Sequence, residues 1–113
     1  MSSSNNLAGG WFPVDPNSPK IQKLARWAVD EENKKPSAYK LEYKGTFKAE
    51  EQIVEARNSR ISLEAVRVPF AASNKEWHKY QAIVYEDLNN NLELKEFKPL
   101  LQANDDECIA VAN

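Results

Sequence analysis

This chain has few of the residues from which enzymes, disulfide-bonded domains and metal sites are built. Its 113 residues include one cysteine, Cys108, and one histidine, His78. A single cysteine cannot form an intramolecular disulfide, so packing alone must stabilise the fold. One cysteine and one histidine far apart in sequence supply neither a metal site nor a nucleophile with its base. With three glycines in all, the chain has no glycine-rich phosphate loop. We therefore expect a protein that is not an enzyme and uses no cofactor or metal.

The chain also lacks long apolar runs and a strong excess of either charge. No stretch is long enough to span a bilayer, and the first six residues have neither the charged nor the apolar segment of a signal peptide. The 17 acidic and 15 basic residues give a net charge of −2, so no nucleic acid and no membrane is indicated as a partner. The expected location is the cytoplasm, or a secreted or vacuolar compartment if a leader has been removed.

Residues 18–35 have the pattern of one amphipathic helix. Ser18 and Pro19 form a start signal, with a hydroxyl that can cap the first turn and a proline suited to its first position. Lys34 and Lys35 are expected in the last turn, where positive charge complements the helix dipole, before a proline ends the helix. The apolar residues recur at helical spacing: Ile21, Leu24, Ala25, Ala28 and Val29.

After Pro36 the apolar period shortens to about 2, which is typical of strands. Gly45 is expected to mark a bulge or a bend in the first long strand, and turns are predicted at 56–59 and 87–91. One helix followed by antiparallel strands predicts an α+β domain whose sheet lays one face on the helix. Four strands are predicted, at about residues 41–54, 61–68, 77–85 and 92–97, after a short extended segment at 11–14.

The pattern divides the chain into an arm, a domain and a tail. Residues 1–10 are small and polar and end in Gly9 and Gly10, which predicts a flexible N-terminal arm. Residues 11–99 carry the periodic pattern and are expected to form one domain. Residues 100–113 show no periodicity, and we expect a disordered C-terminal tail.

Several motifs resemble those of one known family. Residues 24–33, Leu-Ala-Arg-Trp-Ala-Val-Asp-Glu-Glu-Asn, are similar to the signature helix of the plant cystatins, usually written Leu-Ala-Arg-Phe-Ala-Val-Asp-Glu-His-Asn. This resemblance implies the cystatin-like fold, with one long helix packed across a four- to five-stranded antiparallel sheet. The match covers about residues 9–99 and continues in register at Gly9-Gly10, at 52–56 in place of Gln-Val-Val-Ala-Gly, at 63–65 and at 96–99.

The resemblance implies a reversible inhibitor of papain-like cysteine proteases, which in a plant would serve defence. In this family an arm and two hairpin loops form a wedge that enters the active-site cleft of the protease. The implied partner is a papain-like protease, and a monomer is expected, with a domain-swapped dimer as the second option. Carried over to this chain, the wedge consists of Ala8, Gly9 and Gly10 in the arm, Gln52, Ile53, Val54, Glu55 and Ala56 in the first loop, and Asp87 and Leu88 in the second.

Both loops depart from the family pattern. Glu55 and Ala56 replace Ala-Gly in the first loop, so a charge lies at an edge that the family buries against the protease. Asp87 and Leu88 replace Pro-Trp in the second loop, which removes a large aromatic anchor. Inhibition is therefore expected to be weakened or altered in specificity. The alternative is a cystatin-fold binding protein that does not inhibit cysteine proteases and recognises another partner, such as a protease of a different class or a receptor.

Overall fold

A computed structural model describes residues 10–54, 56–71 and 74–100, except for the side chain of Val54. The predicted arm up to Gly9 and the predicted tail from residue 101 lie outside the described residues, so this division of the chain stays a prediction. The elements are β1 Phe12–Val14, α1 Pro19–Glu32, β2 Tyr39–Val54, β3 Ala56–Pro69, β4 Glu76–Glu86 and β5 Leu92–Pro99.

The strands form one antiparallel sheet in the order β1-β2-β3-β4-β5. Strands β2 to β5 follow one another as a meander, so the β2–β3 and β4–β5 connections lie at the same end of the sheet. The connection between β3 and β4 lies at the opposite end. This arrangement confirms the α+β class, with one helix on a five-stranded sheet.

The helix α1 covers one face of this sheet with its apolar stripe. All five stripe residues are buried, at 7% exposure or less, which confirms the predicted face. They join a core cluster whose sheet members are Leu41, Ala49, Ile61, Leu63, Ala65, Tyr80, Ala82 and Val84. Two of the stripe residues, Ala25 and Ala28, have 0% exposure, so small side chains are needed where the helix meets the sheet. The burial of this apolar surface is the main driving force for the fold.

The helix begins as predicted, but it ends earlier. Ser18 is the N-cap, and its Oγ accepts a hydrogen bond from the backbone N–H of Ile21 at 3.2 Å. The predicted last turn is wrong, because Lys34 and Lys35 follow the helical residues. Their ammonium groups form ion pairs with the two glutamates that end α1, at 2.6 and 3.1 Å. Asn33 is the C-cap, and its backbone N–H still donates to the Val29 carbonyl at 2.9 Å. The next two backbone N–H groups donate to carbonyls three residues back, so the regular helical pattern ends there.

The hairpin between β2 and β3 is tighter than predicted. The turn predicted at 56–59 is wrong, because Asn58 and Ser59 belong to β3 and are paired with Gln52 and Glu51 of β2. Asparagine and serine favour turns through local hydrogen bonds, but pairing across the sheet outweighs that preference here. The predicted irregularity at Gly45 is confirmed by a shift of register between Tyr43 and Gly45. In β4, the alternate residues Tyr80, Ala82 and Val84 are buried and belong to the core.

Candidate functional site

The sheet register brings the arm and both loops to one end of the molecule. In β1, Phe12 pairs with Glu51 in antiparallel orientation, so Gly10, two residues earlier, lies toward the end of β2 at Ile53. The β4–β5 connection, which carries Leu88, reaches the same end because Arg57 at the start of β3 pairs with Glu86 at the end of β4. We call this edge, marked by Gly10, Ile53 and Leu88, the loop end of the sheet.

The first loop presents one exposed apolar side chain. Ile53 is 39% exposed although it belongs to β2 and pairs with Arg57. Ala56 opens β3 and is buried, so of these two apolar residues Ile53 is the one available to a partner. Gln52 accepts a hydrogen bond of 3.4 Å from the side-chain amide of Asn58 on the neighbouring strand. Glu55 and the side chain of Val54 lie outside the described residues.

The second loop is held by hydrogen bonds from its own backbone. The Asp87 carboxylate accepts from the backbone N–H of Asn89 at 2.8 Å and from that of Asn91 at 2.9 Å. The backbone N–H of Asp87 donates to the carbonyl of Asn91, and that of Asn90 donates to the carbonyl of Asp87, both at 3.0 Å. Asn90 has a φ of 68°, a left-handed conformation that asparagine tolerates better than most residues. These contacts hold the loop in one conformation, with Leu88 at its tip and 82% exposed.

The charge of Asp87 is part of this arrangement. The backbone N–H of Asn91 is the main cause of a lowered pKa for the Asp87 carboxyl, and the Asn91 side chain and the backbone N–H of Asn89 lower it further. Hydrogen bonds donated to a carboxylate favour its ionised form. Asp87 replaces a proline of the family pattern, and its ionised carboxylate therefore stabilises the loop by accepting these hydrogen bonds.

A shallow groove of about 270 Å³ separates the two loops. Its apolar part comes from side chains of both loops, and its polar part comes from the strand ends beneath them and from the second loop. Such a surface can accept an apolar side chain of a partner and hydrogen bonds around it. The groove is lined by Ile53, Ala56, Arg57, Glu86, Asp87, Leu88 and Asn90.

Two cations share one carboxylate beside this groove. Glu51 accepts a hydrogen bond from Lys20 Nζ at 3.1 Å, and its other carboxylate oxygen is 3.8 Å from Arg57 Nε. This Nε is shielded from solvent and forms no hydrogen bond to the part of the chain that the structure describes. Glu86, the strand partner of Arg57, accepts instead from the side chain of Asn90 at 2.8 Å.

The histidine of the sequence, His78, lies on β4, and its side chain contacts Glu76 Oε1 at 3.0 Å. Across the described ranges, histidine, cysteine and acidic side chains do not gather in groups of three that could hold a metal ion. In those same ranges no helix combines the length and the apolar content that crossing a membrane requires.

Sequence reasoning predicted part of this site and missed another part. Of the predicted residues, Gly10, Gln52, Ile53, Ala56, Asp87 and Leu88 lie at the loop end, while Ala8 and Gly9 fall outside the described residues. It missed Arg57 and Glu86, because neither belongs to a family motif and their proximity arises from strand pairing. It also missed Asn90, although three consecutive asparagines are a signal for a residue with positive φ.

The chain is similar to known proteins that are described as protease inhibitors. A family model described as "Aspartic acid proteinase inhibitor" matches residues 14–100. Cysteine proteinase inhibitor A of Helianthus annuus is 39% identical over 82 residues, which cover 72% of this chain and 92% of that protein. Cysteine proteinase inhibitor 6 of Arabidopsis thaliana is 38% identical over 94 residues, which cover 83% of this chain and 38% of that protein.

A solved structure supports the fold independently. The crystal structure of a salivary cystatin from the soft tick Ornithodoros moubata superposes with a TM-score of 0.69 at 15% sequence identity. The alignment covers 81% of this chain and 97% of that chain. At this level of identity the similarity shows a shared architecture of one helix on an antiparallel sheet.

Proposed function

Because this chain belongs to the plant cystatin family, we propose that it reversibly inhibits papain-like cysteine proteases through the loop end of its sheet. The family consists of protease inhibitors, and the chain is not an enzyme. One observation carries the proposal: Ile53 and Leu88 are both exposed at one edge, on either side of the groove. These exposed apolar side chains gain free energy when the walls of a cleft cover them.

In this proposal the loop end blocks the protease without offering a bond for cleavage. Ile53 and Leu88 lose their exposed apolar surface to the walls of the cleft, which is the favourable term. The Asp87 hydrogen bonds hold the second loop before binding, so little conformational entropy is lost there. In this proposal Ala8, Gly9 and Gly10 add further contacts to the protease.

The charges at this edge determine how selective such an inhibitor is. Binding removes water from Asp87, Glu86 and Arg57, and each needs a hydrogen-bond partner on the protease or a position at the rim. Leu88 buries less surface than the tryptophan of the family pattern. We therefore expect weak inhibition of papain itself and tighter inhibition of a protease whose cleft offers polar groups at these points.

A second candidate function is the inhibition of aspartic proteases. It is favoured by the family model described as "Aspartic acid proteinase inhibitor", whose match at residues 14–100 includes both loops. The same exposed side chains would make the contact, since a protein fold can present one edge to clefts of different chemistry. The two candidates therefore differ in the target and share the surface.

We propose that the protein acts as a monomer, in the cytoplasm or in a secreted or vacuolar compartment. A domain-swapped dimer that exchanges α1 and β2 would open the hairpin between Ile53 and Arg57 and remove the first loop from the edge. Size-exclusion chromatography with light scattering gives the mass. A dimer that inhibits as well as the monomer would contradict this assignment.

The test is a titration of papain and of pepsin with the protein, from nanomolar to high micromolar concentration. We expect inhibition of papain, and Leu88→Ala should raise its inhibition constant about tenfold, because an apolar side chain is no longer buried. Phe70→Ala is the matched control, since Phe70 is 73% exposed and follows β3 at the opposite end of the sheet. Inhibition of pepsin alone would favour the second candidate, and inhibition of neither protease would overturn both.

A further inference from the structure

The face of the sheet that does not contact α1 carries an ion pair close to the loop end. Glu50 and Arg60 are directly opposed on β2 and β3. Each alternates with a core residue, Ala49 and Ile61, so both side chains point away from the helix. Arg60 Nε donates a hydrogen bond to Glu50 Oε1 at 2.7 Å. This hydrogen bond is the main cause of a lowered pKa for the Glu50 carboxyl, which stays ionised at neutral pH.

The ring of Trp11 lies on this pair. The guanidinium carbon of Arg60 is 4.3 Å from the centre of the Trp11 ring, a distance typical of a cation–π contact. The guanidinium contacts the ring and the Glu50 carboxylate at the same time, so the ion pair restrains its position under the ring. Trp11 directly follows Gly10 and precedes β1, so the contact holds the chain just before its first strand. Its own backbone lies outside the regular ladder that begins at Phe12.

We propose that Trp11, Arg60 and Glu50 form a clamp that sets the position and direction in which the N-terminal arm leaves the sheet. This inference rests on the proposed function, since it concerns how the arm contributes to inhibition. The clamp residues act as positioning residues: they hold the start of the arm beside the first loop and need not touch the protease.

The physical reason is the short length of β1. This strand has three residues and is paired on one side only, so it fixes the exit of the arm weakly. Gly10 adds backbone freedom directly before it. A stacked tryptophan removes part of that freedom in the unbound protein, and less conformational entropy is then lost when the arm binds.

A double-mutant cycle separates this role from a general structural one. Arg60→Ala and Trp11→Ala are measured in the full chain and in a variant lacking residues 1–9, against whichever protease the unmodified protein inhibits. In the full chain each substitution should raise the inhibition constant about three- to tenfold. Without residues 1–9 the same substitutions should change it less than about twofold, because no arm is left to position.

Two variants control for other effects. Trp11→Phe keeps an aromatic face over Arg60 and should retain most of the inhibition. Arg26→Ala removes a comparable contact on α1, where the guanidinium lies 4.9 Å from the Tyr43 ring, and should leave the inhibition constant unchanged. Thermal unfolding of every variant confirms that it is folded.

A second measurement tests, in the absence of a protease, whether the clamp holds the Trp11 ring. With Trp27→Phe and Trp77→Phe, Trp11 is the remaining tryptophan, because the chain has three. Its fluorescence anisotropy should decay faster after Arg60→Ala, and an unchanged decay would show that the ring is not held. Equal losses of inhibition with and without residues 1–9 would overturn the role of the clamp and leave the proposed function intact. Absence of inhibition by the unmodified protein would instead overturn the proposed function.

Discussion

Asn33 and Leu41 exchange two hydrogen bonds that join the end of the helix to the sheet. The Asn33 side-chain nitrogen donates to the Leu41 carbonyl, and the Leu41 backbone N–H donates to the Asn33 side-chain oxygen, both at 2.9 Å. The amide of Asn33 therefore takes the place of a neighbouring strand at the point where β2 begins. It satisfies two backbone groups that no strand covers there.

Loss of this side chain should destabilise the protein. Asn33→Ala leaves the Leu41 N–H and carbonyl without these partners in a partly buried position, at a cost of about 2 kcal/mol. Urea denaturation measured by circular dichroism gives the free energy of unfolding. Asn17→Ala, at an exposed asparagine, is the control and should change it by less than about 0.5 kcal/mol. Equal effects of the two substitutions would show that the hydrogen bonds to Leu41 contribute nothing.

The same substitution at two leucines should separate stability from binding. Leu63 has 0% exposure in the core, and Leu63→Ala should lower the free energy of unfolding by about 3 kcal/mol through a lost apolar contact and a residual cavity. Leu88→Ala, at the exposed tip, should change it by less than about 0.5 kcal/mol. Denaturation curves of both variants test this, and a large loss of stability for Leu88→Ala would mean that the loop is part of the core.

The charge of Asp87 should persist to unusually low pH. Its pKa is lowered from the ordinary value of 3.8, mainly by the backbone N–H of Asn91, so protonation is linked to loss of the loop conformation. A carboxyl whose pKa is lower in the folded state stabilises that state above its ordinary pKa, and the contribution is lost as the pH falls through the lowered pKa. In an NMR pH titration, the amide protons of Asn89 and Asn91 should shift together with a midpoint below 3.8. A midpoint at or above that value would contradict the hydrogen-bonded loop.

A larger side chain at the tip of the second loop should strengthen inhibition of papain. Leu88→Trp supplies the aromatic anchor of the family pattern while leaving the Asp87 hydrogen bonds in place, and should lower the inhibition constant about tenfold. Phe70→Trp, at the other end of the sheet, controls for a general effect of an exposed aromatic residue. If Leu88→Trp weakens inhibition of papain, the loop is adapted to a different surface.

Local patterns explain which parts of the fold could be predicted. The buried stripe of α1 and the cap at Ser18 follow from spacing within one helix, and the inward face of β4 follows from alternation within one strand. The end of α1 could not be predicted in this way, because the backbone hydrogen bonds change from a spacing of four to a spacing of three after Asn33 and no residue pattern marks that change. The turn expected at 56–59 failed for a similar reason, since pairing with β2 outweighs the turn preference of Asn58.

The residues of the candidate site also divide into those that a local motif predicts and those that only strand pairing brings together. Ile53 and Leu88 could be predicted because they occupy motif positions of a recognisable family. Arg57 and Glu86 could not, because they become neighbours through the register of β3 and β4. The contact between Trp11 and Arg60 joins residues far apart in sequence, and no local pattern marks either of them.

The sequence by itself determined the helix, the alternation of side chains along the strands and the family, because each depends on patterns that span only a few residues. The tertiary structure decided which side chains share the loop end and where the arm leaves the sheet. The reason is that strand register depends on many distant contacts at once, and a shift of one residue would move every side chain to the opposite face. In this protein that register places Gly10, Ile53 and Leu88 at one edge.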